Sequence, residues 1–172
     1  MASDQTCLIN SIEDTVARIT LNRPEKRNAL NPEIISLLKE ALNQIDEHAA
    51  SDNKLCACVI TGAGIDFCAG ADLSVLSKIG EASFIENLED ARSLMELFLT
   101  IRRVRVPVIA AVRGRALAGG CGLATACDIL LAAESARFGY PEVKIGFVPA
   151  MVMAILRRCT SEKIAFELIT RG

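Results

Sequence analysis

The residues best suited to chemistry lie in two segments where the sequence gives up its side chains. GAGIDFCAGADL, residues 62–73, and GRALAGGCGLA, residues 114–124, each place small residues where a buried strand would turn into a helix. Small residues let a ligand approach the backbone, and unbonded N–H groups at a helix start attract an anionic or polarised oxygen. Two such groups aimed at one oxygen would form an oxyanion hole. A dinucleotide-phosphate loop is the competing reading. It needs G-x-G-x-x-G, but GAGIDF ends in Phe67 and GGCGLA shifts the register. The phosphate-cradling pattern G-x-x-x-x-G-K-[ST] is also missing.

Regular elements must hold these turns. TCLINSI and TVARITL flank Glu13 and Asp14 and read as a hairpin. Asn31 is a good N-cap with Pro32 behind it, and Ile34, Leu37, Leu38, Ala41, Leu42 and Ile45 repeat at helical steps. LCACVIT reads as a buried strand ending in a Gly breaker. FIENLEDARSLMELFLTIRRV reads as a second amphipathic helix carried by Ile85, Leu88, Ala91, Leu94, Met95, Phe98 and Ile101. VPVIAAV is another strand, followed by the Gly-rich segment, a short apolar helix, the strand ILLAA and closing helices near 150–158 and 161–170. This order predicts one α/β domain, residues 1–172, with helices covering a largely buried sheet.

Composition narrows the function classes. The 172 residues are 51% hydrophobic and 23% charged, which is globular composition, and a net charge of -2 supplies no positive field for nucleic acid. The seven cysteines lie mostly in apolar stretches and read as reduced thiols; Cys56 and Cys58 suit core packing better than a metal pair. No metal site is expected. The opening MASDQTCLINSIEDT lacks the basic and apolar pattern of a secretory leader, and the longest apolar runs are short and contain Pro, so a soluble, cytoplasmic protein is expected. Taken alone, Lys26 and Arg27 read as a solvated loop, Asp72 and Asp128 as turn caps, and Glu142 as a surface acid after a Pro turn.

NRPEKRNAL, GIDFCAGADL, AVRGRALAGGCGLATACDI and ARFGYPEVKIGFVPA, in this order and at these spacings, resemble the signature segments of the enoyl-CoA hydratase/isomerase (crotonase) family. The resemblance covers essentially the whole chain and implies a spiral of repeated ββα units. It implies an acyl-CoA substrate with no separate cofactor, coenzyme A being part of the substrate. The N–H groups of Ala69 and Gly119 would hold the thioester oxygen. Ala69, Gly70, Ala71, Asp72 and Leu73 would line the bent CoA, and Lys26, Arg27 and Ala29 would meet its nucleotide and phosphates.

In two-carboxylate members of the family, one acid falls at Gly122 and the other at Glu142, so the resemblance makes Glu142 the single acid/base here. The expected reason for a bare Gly122 is room for substrate bulk or a water. Hydration of a 2-enoyl-CoA, straight or branched, is the first function expected, double-bond isomerisation by the same Glu the second, and non-catalytic acyl-CoA binding the third. Glu81 and Glu86 are the next acids to consider. Family members usually continue with helices that close the pocket and build a trimer or a dimer of trimers, so a homo-oligomer is implied and this chain reads as the N-terminal core of a longer protein. A peptidase of the Clp type shares the spiral but needs Ser, His and Asp together. The only histidine, His48, sits at the polar end of the first helix, which weighs against that chemistry.

Overall fold

The computed structural model describes residues 8–51, 54–72 and 80–172. Cys7 and Leu73 lie outside them. The hairpin forms as β1 (Leu8–Glu13) and β2 (Val16–Leu21), antiparallel, with Asp14 supplying the left-handed turn conformation at φ 52°. Then β3 (Ala57–Gly62), β4 (Val108–Val112) and β6 (Ile129–Ala132) add in parallel, giving the order β1-β2-β3-β4-β6.

Parallel neighbours require crossovers, and amphipathic helices supply them. α1 (Pro32–Ser51) starts where the Asn31 side chain accepts the Ile34 N–H at 2.9 Å. It buries Ile34, Leu38, Ala41, Leu42 and Ile45 in the core shared with Ala17, Ile19 and Leu21 of β2. Each large side chain removed from water there contributes about 1.5–3 kcal/mol before entropy is counted. α2 (Phe84–Ile101) opens on a reciprocal capping box between Ser83 and Glu86. Only its C-terminal half is deeply buried, through Leu97, Phe98 and Ile101, while Ile85 and Leu88 face solvent.

A second, smaller layer runs alongside. β5 (Arg115–Leu117) pairs in parallel with β7 (Arg137–Gly139), and single bridges extend the series through Cys68 with Ala116 and Leu30 with Ala71. Each turn of the chain thus contributes one strand to the large sheet and one short segment to this layer, which is the expected ββα spiral. Short apolar α3 (Gly119–Ala126) follows β5, and α4 (Ala150–Cys159) and α5 (Glu162–Arg171) close the described chain. One expectation changes: Cys56 precedes β3 and is exposed whereas Cys58 is buried. In the sheet, β2, β3 and β4 bury alternate residues, and edge strand β6 is exposed at every position.

Candidate active site

Both Gly-rich turns leave the smaller layer at adjacent rungs, so the spiral itself brings them together. Cys68 donates to the Arg115 carbonyl and Leu117 to that of Cys68, each at 3.0 Å. Beyond these rungs, Gly70 adopts φ 94°, and a side chain there would strike the Ala118 methyl at 2.7 Å and the Leu117 carbonyl at 2.9 Å. Only glycine fits this close approach. The same position lies 3.5 Å from the Gly119 nitrogen, at the start of α3.

The RPEKRNA loop is laced onto the first turn by backbone. Ala69 donates to Arg27 at 3.0 Å, Leu30 to Gly70 at 2.7 Å, and Asp72 to Leu30 at 2.8 Å. Arg23 adds side-chain bonds of 3.3 Å to the Asp72 carboxylate and to the Ala29 carbonyl. Lys26, Arg27, Ala29, Ala69, Gly70, Ala71 and Asp72 therefore lie on one loop-and-turn unit, with Lys26 and Arg27 exposed on the loop.

One assignment changes. Ala69 is not an open donor, since its N–H is bonded to Arg27; the Ala71 N–H, next to Gly70 and facing away from the Leu30 bridge, has no hydrogen bond among the described residues. Alternation along an extended segment explains the difference: successive N–H groups point to opposite sides, so Ala69 and Ala71 face different neighbours only because Gly70 turns the chain. On the second turn, Gly119 is the first residue of α3, where a helical N–H lacks an internal acceptor. Ala118, just before it, is held at φ 51° and ψ -127° while donating to the Gly139 carbonyl at 2.9 Å. Such a conformation costs about 1–3 kcal/mol for a residue with a Cβ, and it sets the direction in which α3 begins.

Glu142 reaches this corner through the same layer. Gly139 pairs with Leu117, and Glu142 follows three residues later in a 3-10 turn over Pro141–Ile145. Its Oε2 atom is buried without a hydrogen-bond partner, and burial raises its carboxyl pKa above the ordinary carboxylate range. Beside it, Tyr140 shares a 3.0 Å hydroxyl contact with Thr125, and burial, ahead of weaker influences that include the Glu142 charge, raises both the Tyr140 phenol and the Cys121 thiol. Glu81 and Glu86 are exposed, Glu86 being bound to the Ser83 hydroxyl at 2.7 Å. The Asp128 carboxylate caps the start of β4, accepting the Val108 N–H at 2.9 Å.

Gly122 contradicts the expectation of open space. A Cβ there would lie 2.8 Å from Val152 and 3.0 Å from Phe98, so apolar core from α4 and α2 occupies the direction a second carboxylate would take. Gly122 is thus tightly packed within α3 against the side chains of Val152 and Phe98.

Sequence reasoning missed a polar clamp. Asp66, 5% exposed, accepts three bonds of 2.9 Å from Arg115, through the backbone N–H, Nε and Nη2. The Arg115 bonds hold its carboxyl below the usual range despite burial. Asn28, fully buried, donates to the Ala63 and Asp66 carbonyls at 2.9 and 2.8 Å and accepts the Arg23 N–H at 2.9 Å. The available signal was an acid and a base in otherwise apolar runs, Asp66 between Ile65 and Phe67 and Arg115 two residues after Arg113.

Comparison with known proteins agrees with this architecture. The family model for enoyl-CoA hydratase/isomerase matches residues 11–172. A Thermus thermophilus protein bearing an enoyl-CoA hydratase name is 46% identical over 157 residues, covering 91% of this chain and 60% of its own. The 2,3-dehydroadipyl-CoA hydratase of Escherichia coli is 40% identical over 166 residues, covering 96% and 62%. An enoyl-CoA hydratase structure from Mycobacterium smegmatis superposes with a TM-score of 0.89 at 32% identity, covering 98% of this chain and 63% of that one. The chain therefore spans about three fifths of the length of these relatives. On the match across its sequence and its spiral alike, the chain belongs to the enoyl-CoA hydratase/isomerase family, with the crotonase fold.

Proposed function

We propose that this chain is the catalytic core of an enoyl-CoA hydratase, acting on a 2-enoyl-CoA with Glu142 as its single acid/base and the N–H groups of Ala71 and Gly119 as the oxyanion donors. The observation that carries the reading is the buried, unpartnered Oε2 of Glu142. Buried acceptors are nearly always satisfied in folded proteins, so an orphan on the layer that also carries two unbonded N–H groups suits a site completed by substrate or water.

In this scheme the thioester oxygen accepts both N–H groups, and water adds at C3 while electrons move through C2 onto that oxygen. Glu142 takes a proton from the attacking water, and a proton is returned to C2, so the elements of water are added and the carboxylate is regenerated. A donor at the oxyanion contributes about 100- to 1000-fold in rate, and the proton carrier about 100- to 10,000-fold. Lys26 and Arg27 meet the CoA phosphates as exposed cations. Coenzyme A arrives with the substrate and no other cofactor takes part. Assembly as a homotrimer or dimer of trimers and residence in the cytoplasm belong to the same proposal.

Gly122 favours a second reading. Because Phe98 and Val152 stand where another acid would project, one carboxyl must serve, and moving a double bond from C3 to C2 needs only one shuttled proton. Mass spectrometry of a panel of 2-enoyl- and 3-enoyl-CoAs incubated in heavy-oxygen water separates the two. Incorporation of solvent oxygen into the 2-enoyl substrates is expected; isotope-free conversion of 3-enoyl substrates alone would assign the isomerase reaction, and no conversion of either would remove the enzyme reading.

A further inference from the structure

We propose that the Asp66–Arg115 pair is the positioning device of the oxyanion donors, fixing the turn that carries Ala71 against the turn that carries Gly119. The inference rests on the hydratase reading above and adds residues to it. The two donors stand on separate turns of the spiral, and their neighbours, Gly70 beside Ala71 and Ala118 and Gly120 beside Gly119, bring little side-chain packing, Phe67 and Cys68 being the buried anchors of the first turn. An oxyanion hole works only if its donors are held close to the productive geometry before substrate arrives.

Few contacts can supply that rigidity. Across the junction, backbone contributes the two bonds between Cys68 and the Arg115–Leu117 segment. Asp66 adds three more to a single residue, and two of them form the planar fork of guanidinium on carboxylate, which fixes orientation as well as distance. Asp66 lies five residues before Ala71 and Arg115 four before Gly119, so the clamp sits at the root of both donor arms. Asn28 extends it, tying the Asp66 carbonyl to the Arg23 backbone and, through the Arg23 side chain, to Asp72. Neither charged group belongs to the reacting set. Asp66 is buried against its partner, and its charge is already neutralised by the fork.

The test uses Asp66→Asn, which removes the charge and one fork bond, and Arg115→Lys, which keeps the charge and loses the fork. The Arg115 side chain is 41% exposed, so this second replacement is tolerated by the fold. Three quantities are read on folded protein: kcat and KM for a 2-enoyl-CoA, the affinity for free coenzyme A, and the carbonyl stretching frequency of a bound, carbon-13-labelled thioester. Each variant is expected to lose about 10- to 100-fold in kcat, the scale on which small misplacements act. KM and coenzyme A affinity stay close to wild type, and the carbonyl band moves back toward its value in water. The double variant falls little further than either single one, because the two residues act as one unit. Wild-type kcat and an unmoved carbonyl band in Arg115→Lys would overturn the proposal. Wild-type protein that neither hydrates the substrate nor polarises the carbonyl would overturn the hydratase reading and the positioning role with it, which separates that failure from failure of the pair alone.

Discussion

Glu142 carries a cost that its chemistry explains. An acid with a raised pKa in the folded chain binds its proton more tightly there than in the unfolded chain, where an ordinary value of about 4.3 applies. Stability is therefore reduced as pH rises from the unfolded value through the folded one, and the penalty is absent below both. Replacing Glu142 by Gln removes the ionisation while keeping the shape. The Glu142→Gln protein should match wild type in melting temperature near about pH 4 and exceed it at neutral pH. Equal melting temperatures across that whole range would mean that the carboxylate is not desolvated. At the same scale, Glu142 shows where sequence stops short. A lone Glu after a Pro reads as a surface side chain, and its burial arises from a rung of the spiral that pairs Gly139 with Leu117, two segments far apart in the chain.

Helix α3 shows what was legible at the scale of an element. A short apolar helix was legible after the Gly-rich segment, but its start at Gly119, inside that segment, was not. The reason Gly122 is bare was not legible, because it depends on Phe98 and Val152, which arrive from helices 24 and 30 residues distant in the sequence. Local pattern offered a missing acid; packing supplies a close helix crossing. Gly122→Ala gains helix propensity, about 1 kcal/mol, but forces a methyl against two buried side chains at a cost of about 1–3 kcal/mol. A net loss of stability is expected, measurable as a lower denaturant midpoint at unchanged slope. Gly122→Glu should be far worse, placing a carboxylate among apolar atoms rather than creating a second catalytic acid. A Gly122→Ala protein as stable as wild type would restore the view that the space is open. The Ala69 assignment failed for a related reason: which N–H of AGAD is unbonded depends on the Arg27 carbonyl from a loop some forty residues earlier.

Over the whole molecule, periodicity placed the hairpin, both long helices and the two closing helices, and the family resemblance supplied the spiral that joins them. The three-residue strands β5 and β7 escaped notice because so short a run has no readable alternation, yet they form the layer from which both turns and Glu142 depart. The strand ILLAA forms as β6, and its exposure was not legible: ILLA is as apolar as a buried strand, but among the described residues it is the sheet's edge, and edge position is a property of strand order rather than of composition. The account as a whole holds that this layer assembles one proton carrier and two backbone donors around a thioester. The most direct measurement is turnover of crotonyl-CoA by wild type and Glu142→Gln, with binding of acetoacetyl-CoA, an enolate-like mimic, followed by calorimetry on the same preparations. The account predicts that binding survives nearly unchanged while turnover falls by about 100-fold or more. A Glu142→Gln protein that hydrates crotonyl-CoA at the wild-type rate would contradict it.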